Sequence, residues 1–350
     1  MGVSRYHRQE ILPQVGAERQ SRLRRAHALV VGCGALGCVS CEWLARAGVG
    51  TLTIIDRDLV DTTNLQRQVL FTESDARDAL PKPIAAQRRL ASINSEVRVR
   101  ALCEDLRPDN AETLVCDAPD APPVGVIIDA TDSFETRYLL NDLAISASIP
   151  MVYAGVVGTR ATTMTILPER GPCLRCVCEN PPPSGSVETC DSVGVLGPAV
   201  GAIASIQSAE AIKILADAHE DVSRDLIEID VWESTIRRIA IGDARCDDCP
   251  CCGRHEFSFL EEETPGEVRT LCGQDAVQIT PTVVGIDLDS LCARLTDVFH
   301  VEHSGEYLRA TVEDESGEYV ISVFPSGRAI VSGTTDRARA RSVYARCVGS

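Results

Sequence analysis

The stretch 27-HALVVGCGALGCVSCEWLARAG-48 decides the fold. Its first five residues are an apolar run of the kind that forms a buried strand. Residues 35 to 48 carry helix periodicity and stop at Gly48. Between them, Gly32, Gly34 and Gly37 form a G-x-G-x-x-G turn. A strand, a glycine turn and a helix, in that order, gather backbone N–H groups around a phosphate. Asp56, in 52-LTIID-56, follows at the ~20-residue distance of an acid that binds ribose hydroxyls. A glycine turn alone is common, but the strand and helix beside it favour a nucleotide site. They leave the nucleotide open, and an NAD-dependent Rossmann oxidoreductase is one reading.

The same alternation continues downstream. Helix 82–94, strand 96–102, strand 124–129, helix 134–148 and strand 151–155 make a βαβ series. Such a series predicts a mostly parallel, Rossmann-like α/β sheet with helices on both faces. Residues 161–169 then read as an antiparallel strand. The segment 178-CENPPPSGSVETCDS-192 reads as a loop, 199–217 as a long apolar helix, and 226–232 and 235–241 as closing strands. The expected domains are an ATP-binding unit over 1–255, a linker over 256–269 and a small α+β domain over 270–350. No motif in the last assigns it a role.

Composition narrows the function. The 350 residues hold 51 acidic and 34 basic side chains, a net charge of −17. Nonspecific nucleic-acid binding depends on basic patches, so no nucleic acid is expected. No apolar run reaches the ~18 residues of a membrane span, and the first residues lack the apolar core of an export signal. A cytoplasmic location, with no membrane, is the expectation. Lys82 and Lys213 are the only lysines.

Downstream of Asp56 and Asp58 comes 63-TNLQRQ-68. A dehydrogenase does not need this cluster, whereas a nucleoside triphosphate does. Arg67 can fork onto phosphate oxygens, and Asn64 and Gln68 supply neutral hydrogen bonds. Lys82 stands at a helix start, where the macrodipole also favours anions. A lysine where arginine is the usual cation suits a point charge on phosphate. Asp129 and Asp132, in 127-IIDATDS-133, end a buried strand, where open parallel sheets bind ligands. One of them is a candidate to hold Mg²⁺. Singly, each of these charges could merely solvate a loop end. Together they favour ATP.

With those residues placed, the sequence resembles the ThiF/MoeB/HesA family. These are prokaryotic E1-like enzymes that adenylate the C-terminal glycine of ubiquitin-like sulfur-carrier proteins. The resemblance rests on 5-RYHRQ-9, 32-GCGALG-37, 48-GVGTLTIIDRDLV-60, 64-NLQRQ-68, Lys82, 129-DATDS-133, 194-GVLGP-198 and 207-QSAEAIK-213. It covers residue 5 to about residue 253. It implies an adenylyltransferase that uses ATP with Mg²⁺. Asp56 would take the ribose, the glycine loop would lie near the adenosine and phosphates, Asn64, Arg67, Gln68 and Lys82 would contact phosphate, and Asp132 would hold the metal. Arg8 would reach the ATP of another subunit, which implies a homodimer. The implied partner is a carrier of the ThiS or MoaD type ending in Gly-Gly, with a cysteine desulfurase or other sulfur donor. Ala35 replaces a glycine of many members, and Ser133 stands where asparagine is common.

Sixteen cysteines without an export signal point to metal ligation or thiol chemistry rather than disulfides. Cys173 with Cys176, and Cys249 with Cys252, form two C-x-x-C knuckles of the spacing used by structural Zn²⁺. Cys178, Cys246 and Cys251 offer rival registers, and a redox disulfide is the competing chemistry. C-P-x-C-G over 249–253 is a zinc-knuckle turn and resembles the family's second pair. Cys190, in the Pro- and Ser-rich loop, corresponds by resemblance to the family's active-site cysteine; the alternative is an unused loop thiol. Beside the adenylyltransferase and the oxidoreductase stands a third reading, a noncatalytic zinc-bearing scaffold.

Overall fold

The computed structural model describes residues 4–116, 121–182, 188, 190–261, 267–270, 275–281, 285–314 and 317–349. The chain divides into two compact units, Met1–Glu262 and Glu263–Ser350.

The first unit is built on one eight-stranded sheet. Its strands are β1 (His27–Val31), β2 (Thr51–Ile55), β3 (Arg98–Leu102), β4 (Val126–Asp129), β5 (Met151–Val157), β6 (Arg160–Ile166), β7 (Asp225–Asp230) and β8 (Thr235–Ala240). Their order is β3-β2-β1-β4-β5-β6-β7-β8. The pairings from β3 to β5 are parallel, and those from β5 to β8 antiparallel. This is the mostly parallel sheet with an antiparallel continuation that the alternation predicts. The order turns back between β1 and β4, which opens a crevice at their carboxyl ends.

Alternation along each strand feeds two cores on opposite faces. Ala28, Val30, Leu52, Ile54, Val126 and Ile128 pack on one side. The helices Ala35–Ala47, Lys82–Ile93 and Gly197–Leu215 cover it. Leu29, Val31, Ile55 and Ile127 pack on the other, under Pro108–Cys116 and Phe134–Ser146. Strands buried on both faces are mostly apolar, hence the runs HALVV and TLTII, whose His27 and Thr53 pair with each other. The 13-residue helix Ala35–Ala47 ends where Gly48 turns left-handed, at φ +81°. A side chain there would strike the Tyr6 ring 2.5 Å away.

The helix Pro108–Cys116 was not among the sequence expectations. Its signal was Pro108 at the first helical position, backed by Asn110 Oδ1 accepting from Arg107 N at 2.8 Å. Of the segment 256–269 expected as a linker, Phe257, Phe259 and Leu260 pack on the first unit's second core, and Glu267–Thr270 forms a strand.

The second unit is a small α+β domain. Its strands are β9 (Glu267–Thr270), β10 (Ala276–Thr280), β11 (His300–His303), β12 (Leu308–Asp314), β13 (Gly317–Val323) and β14 (Ala329–Ser332). They form an antiparallel sheet in the order β11-β12-β13-β14-β10-β9. The helices Leu288–Thr296 and Arg337–Cys347 pack Leu291, Leu295 and Val343 onto Val277, Ile321 and Val331. Asp287 and Asp336 cap them.

Candidate nucleotide site and cysteine centre

The glycine loop crosses the carboxyl end of β1. Gly32 has φ +91°, and a Cβ there would stand 2.5 Å from Ala130 O. A Cβ on Gly37 would meet Gly32 O at 2.0 Å, so the helix can approach the strand only with glycine. Gly34 differs. Its φ is −81°, and a Cβ would meet only Gln68 Nε2, at 3.8 Å. It opens the helix Ala35–Ala47, with Ala35 in the first turn, and no described side chain caps that end. Backbone N–H groups there suit an anion.

Asp56 braces this loop. Its Oδ2 accepts Cys33 N at 2.6 Å and its Oδ1 accepts Asp58 N at 2.7 Å. Burial pushes the Asp56 carboxyl above the ordinary carboxylate value, against the pull of Lys82 and the two N–H donors. A carboxylate has about four lone-pair sites, so a bound ribose hydroxyl remains compatible with these bonds.

Lys82 is 5% exposed, and its Nζ donates to Asp58 Oδ2 at 2.7 Å. Burial opposes its charge, yet Asp58 and Asp56 outweigh burial and hold its pKa above the usual lysine value. Arg57, which the motif reading missed, lies alongside. Its Nη1 meets Asp105 Oδ1 at 3.1 Å, and Asp105 with Asp58 keeps its pKa raised against burial. The two residues lie 48 apart in sequence, so no local pattern announces the pair.

The Asn64–Gln68 segment approaches the same loop, with Gln68 Nε2 3.8 Å from where a Cβ on Gly34 would stand. Asn64 is buried, and its Oδ1 accepts Asp61 N at 3.2 Å. Arg67 is half-buried, with Nη1 on Thr63 O at 3.0 Å. Gln68 is buried, and its Oε1 has no hydrogen-bond partner. An orphaned buried carbonyl beside a glycine loop fits a ligand that brings a hydroxyl or amine donor to it, as a nucleoside does.

The two strand-end aspartates separate. Asp129 is fully buried; its Oδ1 accepts Thr131 N at 3.0 Å and Thr131 Oγ1 at 2.7 Å, and its Oδ2 lies 3.9 Å from Arg137 Nε. Burial pushes its carboxyl up, against Arg137. That environment suits an internal brace. Asp132 is exposed, in the loop after β4, and its charge is felt by both Lys82 and Arg57. It is therefore the strand-end carboxylate open to a metal. Ser133 caps the next helix, accepting Thr136 N at 3.4 Å. Gln207, fully buried, donates to Asp129 O and Val152 O at 2.8 Å each, and so ties β4 to β5 beneath the site.

Arg8 stands apart. Its neighbours anchor the chain to helix C-termini: Gln9 Nε2 donates to Ala47 O at 3.0 Å and Arg5 Nη1 to Ile93 O at 3.0 Å. Those helices start at the glycine loop and at Lys82. Their length puts Arg8, which is exposed, on the order of 20 Å from its own chain's site. Cys190 opens the one-turn helix Cys190–Val193, and its side chain lies outside the described residues. The chain then reaches Gly197, where a Cβ would stand 3.2 Å from Gln66 O, next to Arg67.

The four knuckle cysteines meet on the sheet's second face. The sulfurs of Cys173, Cys176, Cys249 and Cys252 all lie within 4.8 Å of one another. Cys173 is 3.6 Å from Cys249, and Cys176 is 3.3 Å from Cys252. Four sulfurs about 2.3 Å from one tetrahedral zinc stand about 3.8 Å apart, so the cluster fits. Gly253 shapes the second knuckle, since a Cβ there would strike Asp247 O at 2.1 Å. Of the rival registers, Cys178 and Cys246 are exposed and lie outside the cluster, and Cys251 faces Asn141 at 3.2 Å.

Such a sheet and switch-point loop, with a four-thiol centre on the far face, define an E1-like α/β nucleotide-binding class rather than a nicotinamide dehydrogenase. The chain belongs to the ThiF family, whose model matches residues 6–251. A sulfur carrier protein ThiS adenylyltransferase of Bacillus subtilis is 38% identical over 348 residues, covering 99% of this chain and 100% of that one. A sulfur carrier protein adenylyltransferase of Thermus thermophilus is 38% identical, covering 72% and 91% of the two chains. Among solved structures, E. coli MccB with ATP matches at a TM-score of 0.59 and 26% identity, over 72% of this chain and 75% of that one. The Bacillus likeness therefore runs through both units. No helix among the described residues is long and apolar enough to cross a membrane.

Proposed function

We infer that this chain adenylates the C-terminal glycine of a ubiquitin-like sulfur-carrier protein of the ThiS or MoaD type, releasing pyrophosphate, for sulfur transfer in thiamine, molybdopterin or related biosynthesis. The observation that carries the reading is the buried Lys82 ammonium, joined through Asp58 and Asp56 to a glycine loop whose helix start is uncapped. This polarity suits a triphosphate, and the named activities of the relatives supply the chemistry.

A carboxylate is a poor electrophile and must be activated. One of its oxygens attacks the α-phosphorus, and the bond to the bridging oxygen breaks as pyrophosphate leaves. The step needs positioning and charge neutralisation rather than a protein nucleophile. Asp56 orients the ribose. The N–H groups from Gly34 onward, with Asn64, Arg67, Gln68 and Lys82, hold the phosphates. Asp132 would hold Mg²⁺, which supplies further neutralisation when bound. Arg8 acts on the site of a second copy in a homodimer, since its own site is a helix length away. Cys190, on the segment leading to Gly197, attacks the acyl carbon of the adenylate in a later step, forming a thioester as AMP leaves, and sulfide-level sulfur that originates from a cysteine desulfurase or other donor then displaces the Cys190 thiolate. Zn²⁺ in the four-thiol centre is structural. The work takes place in the cytoplasm.

The test is carrier-dependent exchange of radiolabelled pyrophosphate into ATP. Wild type and Cys190→Ala should both exchange, and only wild type should form a covalent carrier adduct. Stabilisation by NAD but not by ATP with Mg²⁺ in a thermal-shift assay would overturn the reading.

A further inference from the structure

One helix joins the nucleotide loop to the cysteine centre, and its contacts at both ends are specific. The helix Phe134–Ser146 begins at Ser133, directly after Asp132. In its first turns Arg137 Nη2 donates to Thr131 O at 2.8 Å, and Arg137 Nε lies 3.9 Å from Asp129 Oδ2. One turn on, Asn141 meets both knuckles. Its Oδ1 accepts the N–H of Leu174, the residue after Cys173, at 2.8 Å. Its Nδ2 donates to Sγ of Cys251, which stands between Cys249 and Cys252, at 3.2 Å. Asn141 is fully buried, so each bond is made away from water. Asp142 repeats the arrangement, accepting Phe259 N at 3.1 Å with Arg175 Nη1 3.8 Å away.

An amide has one carbonyl and one NH₂ group, and Asn141 uses one on each knuckle. The two bonds tie both knuckle segments to one side chain of this helix. Residues 137 and 141 are four apart and so share a helix face. A helix is stiff along its axis, and Phe134, the first helical residue after the 129–133 loop, is seven residues, or about 10 Å, from Asn141. A shift at Asn141 therefore reaches the 129–133 loop with little loss.

We propose that Asn141 is a positioning residue which registers the nucleotide loop, and with it Asp132, against the metal-bound knuckles. The proposal rests on the nucleotide reading above for the role of Asp132. Metal occupancy and Mg²⁺–ATP affinity are then linked through this side chain. The linkage is reciprocal, so bound Mg²⁺–ATP also slows metal loss from the cysteines.

The experiment uses the full chain with one zinc bound. Asn141→Leu keeps the side-chain size and removes both bonds, whereas Asn141→Asp keeps the acceptor for Leu174 N. Amide hydrogen exchange over 129–133 is measured without nucleotide, and affinities for ATP are measured by calorimetry with and without Mg²⁺. Asn141→Leu should retain zinc, exchange about tenfold faster over 129–133, and bind Mg²⁺–ATP about tenfold more weakly, a coupling of ordinary allosteric size. Affinity for ATP without Mg²⁺ should change less than about twofold, because Asp132 acts through the metal. A general loss of structure would weaken both equally. Should Asn141→Leu not fold, Asn141→Asp, which loses only the bond to Cys251, gives the same two readings at smaller size. Wild-type exchange over 129–133, or equal losses with and without Mg²⁺, overturns the proposal. Failure of wild type itself to bind Mg²⁺–ATP would instead overturn the nucleotide reading, and the exchange result would still stand.

Discussion

Lys82 is tied to Asp58 twice: its backbone N–H donates to Asp58 O at 2.9 Å and its Nζ to Asp58 Oδ2 at 2.7 Å. The ammonium thus balances Asp58 and Asp56 in the free protein and stands ready for phosphate. Lys82→Ala removes the buried cation from two neighbouring carboxylates and leaves Arg57, 3.9 Å from Asp58, as the nearby positive charge. Loss of a buried partner costs about 3–5 kcal/mol, and the partial exposure of Asp58 brings the expectation down to about 2 kcal/mol. Pyrophosphate exchange should fall about a hundredfold or more. Urea unfolding and exchange assays read the two effects, and a fully active Lys82→Ala would remove this residue from the phosphate site.

Two glycines of one loop should behave oppositely. Gly32→Ala puts a Cβ 2.5 Å from Ala130 O at φ +91°, and should cost about 1–3 kcal/mol. Gly34→Ala has room and negative φ, so stability should stay within about 0.5 kcal/mol. Its new methyl group instead enters the space given to phosphate, and ATP affinity should drop about tenfold or more. Calorimetric titration with ATP checks this, and unchanged affinity in Gly34→Ala would move the phosphates elsewhere.

Acid stability should depend on His27. This imidazole is buried at the start of β1, with Nδ1 2.7 Å from Pro122 O and Nε2 2.8 Å from Thr53 Oγ1. Burial lowers its pKa from the ordinary value of 6.5, against the Pro122 carbonyl and aided by Arg100. The unfolded chain therefore binds a proton that the folded chain refuses. The contribution is fully present above about pH 6.5 and is lost as pH falls toward the lowered folded value, by at most about 1.4 kcal/mol per pH unit. His27→Gln should flatten the stability profile between pH 7 and 5. A parallel profile would assign the acid sensitivity to other groups.

The central strands were legible because a strand buried on both faces is mostly apolar, and HALVV and TLTII are bounded by glycine or aspartate. The glycine spacing was legible because only glycine fits at 32 and 37. What local sequence does not carry is the direction of a side chain. Asp129 and Asp132 read alike in 129-DATDS-133, and only the fold turns the first toward Arg137 and leaves the second exposed. Cys251 sits between Cys249 and Cys252 in sequence, and Asn141, 110 residues earlier, faces its sulfur. The Arg57–Asp105 pair and the Gln207 amide between β4 and β5 likewise join distant segments.

Metal loss should be a folding event. Cys249→Ser with Cys252→Ser removes two of four ligands from a cluster that joins residue 173 to residue 252. About one zinc per chain should be released and the melting temperature should fall, because the metal's binding energy is also folding energy. Elemental analysis and a thermal melt measure both. Normal zinc content in the double variant would show that other cysteines ligate.

The placement of Arg8 gives a test that a single variant cannot. Arg8 lies a helix length from its own site, near Ala47, so its role needs a second copy. In a twofold dimer each site takes its Asp132 from one chain and its Arg8 from the other. Arg8→Ala and Asp132→Ala homodimers should each lose pyrophosphate exchange about a hundredfold or more. A heterodimer of the two, purified through different tags, contains one doubly damaged site and one intact site. It should recover about half of the wild-type rate per dimer, which follows from the symmetry alone. If Arg8 served its own chain, each site of the heterodimer would carry one lesion and none would work. An inactive heterodimer would therefore remove Arg8 from the partner's site, and a monomer in sedimentation at assay concentration would remove the shared site altogether.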